Sequence, residues 1–190
     1  MDKRIGATVV ALAVWLGAAS QARAQGADSA PRFSIFGGTL FDAAHSTATG
    51  RLTNVEFGGS GDFRLSGFPL TLRSTLAFRQ EDSDWTVTPM KFGTLSLDAI
   101  GKPVPRLFGA QLYLLGGLGV ATHSDYRAMD IVNGEPTSVF THSVPRETWA
   151  FGEGGLGLEL GRHLFVQTKM MVPVASQGPM LMPISVGFRF

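Results

Sequence analysis

The stretch ISVGFRF, residues 184–190, decides how the rest of the chain is read. Ile184, Val186, Phe188 and Phe190 alternate with Ser185, Gly187 and Arg189. A period of two places successive side chains on opposite faces of a β-strand. Ordinary domains fray at their last residues. Here the alternation runs through to Phe190, so that aromatic residue is expected to belong to the sheet.

The same period recurs upstream. In LTLRSTLAFRQ, residues 70–80, Leu70, Leu72, Leu76 and Phe78 oppose Thr71, Arg73, Thr75 and Arg79. In LFVQTKMMV, residues 164–172, Leu164, Val166, Met170 and Val172 share a side with Thr168 and oppose Gln167 and Lys169. GEGGLGLEL sets Leu156, Leu158 and Leu160 against Glu153 and Glu159. Turn signals divide the chain into eight expected strands, near 32–41, 52–65, 69–80, 86–99, 107–122, 148–160, 164–174 and 181–190. The fourth changes phase: Met90 and Phe92 have one parity, Leu95 and Leu97 the other, which predicts a bulge near Gly93. The fifth has apolar residues on both parities, in LYLLGGLGVA.

Composition narrows the class. Charged residues make up 16% of the chain, against roughly 25% in an average soluble domain. A net charge of +1 argues against a nucleic-acid partner. With no cysteine there is no disulfide framework, thiolate metal site or cysteine nucleophile. The first residues, MDKRIGATVVALAVWLGAASQARAQ, have a basic start at Lys3 and Arg4, a short apolar run, and Ala22-Arg23-Ala24. That order is expected of a secretory signal peptide, residues 1–24, cleaved after Ala24, with the folded domain at 25–190. No later stretch approaches the length of an apolar membrane helix.

Strands of about ten residues, tilted, can cross a bilayer, but only if closure pairs every backbone group. The expected fold is therefore all-β: an eight-stranded antiparallel up-and-down transmembrane β-barrel. Short connections at one end and longer, more polar ones at the other agree with it. Leu, Val, Ile and Phe would meet lipid. The opposite face collects Glu56, Asp62, Arg64, Arg73, Arg79, Lys91, Asp98, Glu153, Glu159, Lys169 and Arg189, expected as a lumen charge network. An eight-stranded barrel is only wide enough for side chains to fill, so those charges should pair and plug it. Aromatic belts are expected from Phe41, Phe78, Trp85, Phe108, Trp149, Phe188 and Phe190. Strand glycines in FGGT, FGGSG, LLGGLG and FGEGGLG would let a narrow barrel curve. They are not phosphate loops, because no helix follows them.

These features together resemble the small outer-membrane β-barrel proteins of Gram-negative bacteria, the OmpA transmembrane-domain and OmpX-like group. The resemblance spans the mature chain. It implies that Ile184, Val186, Phe188 and Phe190 form the carboxy-terminal signal read by the barrel assembly machinery, with Ser185 where many such signals carry glycine. It also implies outer-membrane lipid and lipopolysaccharide as surroundings, and a monomer without cofactor.

Histidine-serine pairs at His45, His123 and His142 raise the question of catalysis. Ser124 or Ser143 as nucleophile, His123 or His142 as base and Glu147 or Glu153 as carboxylate would make a hydrolase like the lipid A deacylases, which use His-x-Ser. Adjacent residues on a strand point to opposite faces, so the expectation is solvated loop residues, with no catalytic site. A metal site from His123, His142 and Asp125 or Asp130 ranks lower still. The segment from His123 to Glu147 is expected to extend the barrel as a hairpin with NGEP at its tip, since Asn133-Gly134 favours a tight turn. The functional expectation is a non-enzymatic outer-membrane barrel with a structural, adhesive or surface-interaction role. The alternatives are a narrow porin-like channel, an outer-membrane hydrolase, and a soluble periplasmic barrel for an apolar ligand.

Overall fold

The computed structural model describes residues 31–42, 54–64, 69–81, 87–88, 90–132, 135–174 and 180–190. The leader read at 1–24, His45 and Trp85 lie outside these residues. Ten strands are present among the described residues: β1 Arg32–Asp42, β2 Val55–Arg64, β3 Thr71–Glu81, β4 Met90–Gly101, β5 Ala110–His123, β6 Tyr126–Val132, β7 Glu135–Val144, β8 Thr148–Leu160, β9 Leu164–Pro173 and β10 Leu181–Arg189. Eight of them close into a barrel in the order β1-β10-β9-β8-β5-β4-β3-β2, while β6 and β7 form a separate two-stranded sheet. Every neighbouring pair is antiparallel. Each barrel strand thus pairs with the barrel strands before and after it, and β10 returns to β1 from Ser34 opposite Arg189 to Asp42 opposite Leu181. That seam leaves no sheet edge in the wall.

The two ends differ. One bears the connections 65–70, 102–109 and 161–163, together with the start of β1 and the end of β10. There Leu107 and Ala110 exchange two backbone hydrogen bonds of 2.9 and 2.8 Å. Phe108 at φ 50° and Gly109 at φ 80° both take the left-handed conformation between them, as a two-residue primed turn requires. Phe108 is a costly residue for that conformation, and its ring stands fully in solvent. The other end bears the connections 43–54, 82–89 and 174–180 and the β6–β7 hairpin. The hairpin has Val132 opposite Glu135, with Asn133 and Gly134 between them in sequence, and a register shift between Met129 and Asp130. It is tied to the neighbouring loop, where the Val87 N–H donates to the Arg127 carbonyl (2.8 Å) and the Arg127 N–H to Thr88 Oγ1 (3.0 Å).

Side chains on the outer parity are apolar around the whole wall. Ile35, Phe57, Leu97, Leu118, Leu156, Leu164, Val166, Val186 and Phe188 are among many large apolar residues left exposed. The inner parity is buried and mixed. At the long-loop end it is oily: Leu40, Met90, Phe92, Ala121, Trp149, Phe151, Met171 and Leu181 pack into one cluster.

This inner cluster corrects two expectations. The bulge near Gly93 is absent, because β4 keeps unbroken register with β3 from Glu81↔Met90 to Thr71↔Ile100. Met90 and Phe92 face the lumen with Thr94, Ser96 and Asp98, and Leu95 and Leu97 face out. Trp149 is also no part of an outer belt. It is buried against Phe92 and the His123 imidazole, at ring separations of 6.4 and 5.6 Å. Tyr113 and Leu115 of β5 likewise face inward and pack with Ile100, which accounts for apolar residues on both parities of that strand.

Four inward aromatic residues sit directly opposite a glycine in the next strand: Phe36↔Gly58, Tyr113↔Gly157, Phe151↔Gly119 and Phe165↔Gly187. In each pair a Cβ on the glycine would fall within the aromatic ring's van der Waals envelope. The ring therefore lies flat over the glycine, shielding its backbone and filling the narrow lumen. Gly157→Ala should overpack Tyr113 and cost about 1–3 kcal/mol, read as a lower urea midpoint in detergent micelles. Gly154→Ala, whose added Cβ would meet nothing closer than 4.0 Å, should leave the midpoint nearly unchanged.

Candidate functional site

The polar content of the lumen is the first candidate. Alternation turns Glu56 and Asp62 of β2, Arg73 and Arg79 of β3, Asp98 of β4, Glu153 and Glu159 of β8, Lys169 of β9 and Arg189 of β10 inward, and all are buried. Cross-strand register then makes pairs of opposite charge neighbours: Glu56 lies opposite Arg79 and Asp62 opposite Arg73.

Three layers of contact follow. Arg79 donates from Nε to Glu56 Oε2 (2.6 Å) and from Nη1 to Thr94 Oγ1, and Ser185 Oγ donates to the other Glu56 oxygen (2.9 Å). Lys169 Nζ bridges Asp98 (3.2 Å) and Glu153 (3.1 Å), with all three side chains at most 4% exposed. Arg73 grips Asp62 with Nε and Nη2, at 2.6 and 3.0 Å, and donates from Nη1 to Gln167 (2.9 Å), which also accepts from the Tyr113 hydroxyl (3.0 Å). The Arg73 guanidinium lies over Tyr113 and Phe165, 5.4 and 5.7 Å from their centroids. Paired, forked contacts of this kind are the strong form of a buried ion pair. A lone charge there would be very costly.

Two residues expected in the network stand apart from it. Lys91 has the outer parity and is exposed, because the unbroken β4 register points it away from Phe92 and Thr94. Arg64 has the inner parity but lies past the end of the packed lumen and is exposed at the short-turn mouth. One participant was not anticipated. Lys102, in the connection after β4, reaches Glu159 at 2.8 Å. Its signal was only its place beside the short turn.

The histidine-serine candidates separate. His123 is buried between Tyr126 and Trp149, and its Nδ1 donates to the backbone carbonyl of Ser124 at 2.7 Å. That imidazole is committed to packing and to the main chain. His142, on β7, holds Asp130 of β6 at 2.5 Å on the exposed hairpin. Ser143 follows it on the opposite face of the strand, opposite Arg127. Among the described residues neither imidazole is hydrogen-bonded to a serine hydroxyl, and no group of three or more His, Asp or Glu residues could hold a metal ion. The structure therefore brings the charged lumen residues together and leaves the candidates for chemistry apart.

No family model and no curated protein matches the sequence. Solved structures similar to it are small barrels. The N-terminal β-barrel domain of Pseudomonas aeruginosa OprF has 18% identity and TM-score 0.46, with 84% of this chain and 96% of that one covered. Ail, the attachment invasion locus protein of Yersinia pestis, has 10% identity and TM-score 0.48 over 84% and 96%. Neisserial surface protein A has 10% identity and TM-score 0.49 over 84% and 94%. The class of this protein, a closed eight-stranded antiparallel barrel with a charged and packed lumen, rests on its own strand pairing and side chains.

The Glu56 and Arg79 pair tests how the lumen is held. Arg79→Met alone should cost about 3–5 kcal/mol, because it strands a buried carboxylate. The double change Glu56→Gln with Arg79→Met should recover most of that loss. Urea unfolding of the folded barrel in lipid vesicles reads both.

Proposed function

We propose that the chain is an integral outer-membrane β-barrel, non-enzymatic and monomeric, with a side-chain-filled lumen and a structural, adhesive or surface-interaction role. In this reading residues 1–24 export it and are removed after Ala24. The barrel assembly machinery takes up β10 through Ile184, Val186, Phe188 and Phe190. Outer-membrane lipid and lipopolysaccharide surround the wall.

One observation carries the reading: the molecule is inside out with respect to charge. Soluble proteins almost never bury Lys, Glu, Arg or Asp unless they are paired. Here nine such side chains line the interior, while leucine, valine, isoleucine and phenylalanine face outward along every barrel strand from β1 to β10. Barrel strands of 9 to 14 residues suit a tilted crossing of the hydrocarbon core. The exterior is far larger than the few hundred Å² of contiguous apolar surface a soluble monomer tolerates. On β10 the four signal residues are all exposed on the outer face, available to a neighbouring strand or lipid. The β6–β7 hairpin projects from the long-loop end and carries Arg127, Asp130 and His142 on exposed or half-exposed positions. It is the element best placed to meet a surface partner, since loops carry most binding function.

Unboiled protein in dodecyl sulfate should migrate apart from the boiled form, and the native protein should remain in the membrane pellet after a carbonate wash. Planar bilayers containing it should show no steady conductance. Unchanged mobility or release by carbonate would remove the membrane reading, and a steady current would remove the filled lumen.

A further inference from the structure

The short-turn end of the barrel gathers more cations than its carboxylates can neutralise. Glu159 is shared by three of them: Arg189 Nη1 at 2.7 Å, Lys102 Nζ at 2.8 Å and Arg106 Nη2 at 3.8 Å. Arg32 and Arg162 stand at the same mouth. Asp62, the next carboxylate inward, is already gripped by Arg73 through two hydrogen bonds. Six cations, Arg32, Arg64, Lys102, Arg106, Arg162 and Arg189, therefore line this mouth with Glu159 and the already engaged Asp62.

These groups surround real space. A half-open cavity of about 360 Å³ is lined by Arg32, Arg106, Arg162, Arg189 and Glu159, with Phe190 at its edge. That volume falls in the range of about 300–1,000 Å³ typical of small-molecule sites. A second, smaller pocket of about 30 Å³ shares Arg32, Glu159 and Arg189 with it and reaches Asp62. We call this half-open cavity the vestibule.

One buried arginine of the lining is under-satisfied. Arg189 is 5% exposed, yet its Nε and Nη2 have no hydrogen-bond acceptor, although Nη2 stands 3.4 Å from Asp62. Arg189 lines the cavity, and its buried, under-satisfied guanidinium sets a fixed positive charge at the base. The surrounding frame is fixed. Arg106 Nη2 donates to the Gly161 carbonyl (2.6 Å), and His163 Nδ1 donates to the Arg189 carbonyl (2.9 Å) while its ring stacks on Phe188 at 5.2 Å.

We propose that this vestibule binds a phosphate-bearing anion, either inorganic phosphate or the headgroup of an anionic phospholipid. Planar guanidinium forks at the rim match the oxygens of a tetrahedral phosphate, and the buried Arg189 supplies a fixed positive charge at the base. The mouth also lies where the oily wall ends, beside exposed Leu164, Phe188 and Phe190. A lipid could rest its acyl chains on that wall with its phosphate among Arg106 and Arg162. The vestibule itself does not depend on the membrane reading; the lipid source does.

The test uses the full chain folded in maltoside micelles, with phosphorus NMR titration of inorganic phosphate, dihexanoyl phosphatidylglycerol and zwitterionic dihexanoyl phosphatidylcholine. The expected result is saturable binding of phosphate, phosphatidylglycerol or both, and none of phosphatidylcholine. The double variant Arg106→Ala with Arg162→Ala should weaken it about tenfold or more. Arg127→Ala, at the opposite end, should leave it unchanged. Both positions of the double variant are on the rim, and the heat-dependent gel shift checks that it folds. Competition between phosphate and phosphatidylglycerol supports a shared site open to the free ion, and binding of phosphatidylglycerol alone assigns the site to lipid. No saturable binding of either, equal loss with Arg127→Ala, or no loss in the rim variant overturns the proposal. Saturable phosphate binding by a chain that carbonate releases would leave the vestibule standing and remove the membrane reading.

Discussion

Everything in this molecule depends on the seam between β1 and β10. An antiparallel sheet that stays open presents a row of unpaired N–H and C=O groups at each edge. Where no water reaches the wall, each would cost several kcal/mol. Nine consecutive residue pairs, from Ser34↔Arg189 to Asp42↔Leu181, remove both edges at once. Closure also fixes parity. Once the sheet is a cylinder every residue is either inside or outside, and a one-residue slip at any ladder would turn a whole strand inside out. The outer set can then be uniformly oily, and charge has only the interior and the rims to occupy.

The interior inherits two problems from that assignment. The first is width. Eight strands leave room for side chains alone, and large and small residues must alternate across the ladder. The four aromatic residues lying over cross-strand glycines are that alternation made visible, since the space vacated by a glycine side chain is the space its partner's ring takes. The second is charge. Five inward carboxylates meet four inward cations, and Lys102 comes in from the rim as the fifth. Glu56 with Arg79 and Asp62 with Arg73 are cross-strand neighbours held by register. Lys169, by contrast, reaches Asp98 on a strand that does not adjoin its own, so the network stitches across the lumen as well as around it.

Much of this is legible in the sequence, and all the departures but one share a cause. Parity placed Arg73, Arg79, Glu153, Glu159 and Lys169 on the inner face from the alternation of their own strands. All the departures but Arg64 lie toward the long-loop end. There Met90, Phe92 and Trp149 were treated as outward because they are apolar, but the lumen itself is apolar at that height. Hydrophobicity separates oil from water and cannot separate lipid from a packed plug. A charge elsewhere on the same strand can. Asp98 shares the parity of Met90 and Phe92, and Glu153 that of Trp149, so carrying the phase outward from each carboxylate would have placed all three correctly. Lys91 was lost to the same phase error. Arg64 kept its phase and was lost to the strand's end, a limit that alternation does not mark.

The lumen is consequently polarised along its axis. From the short-turn mouth inward come an arginine-rich vestibule, then the Asp62–Arg73 and Asp98–Lys169–Glu153 clusters, then the Glu56–Arg79 pair beside the Phe92 ring at the base of an oily cap under the hairpin. Such an order has a physical rationale. Ion pairs hold their geometry by direction and need a rigid frame, which mid-height strands provide. The cap is held by contacts that are not directional and so depends less on an exact frame. His123 marks the boundary: its imidazole is buried between Tyr126 and Trp149, and its Nδ1 is spent on the chain's turn into the hairpin at Ser124. The hairpin can thus differ in sequence or conformation without disturbing the charges below. The proposed surface role would use such an arrangement, because the packed interior keeps its geometry independently of the element at one end.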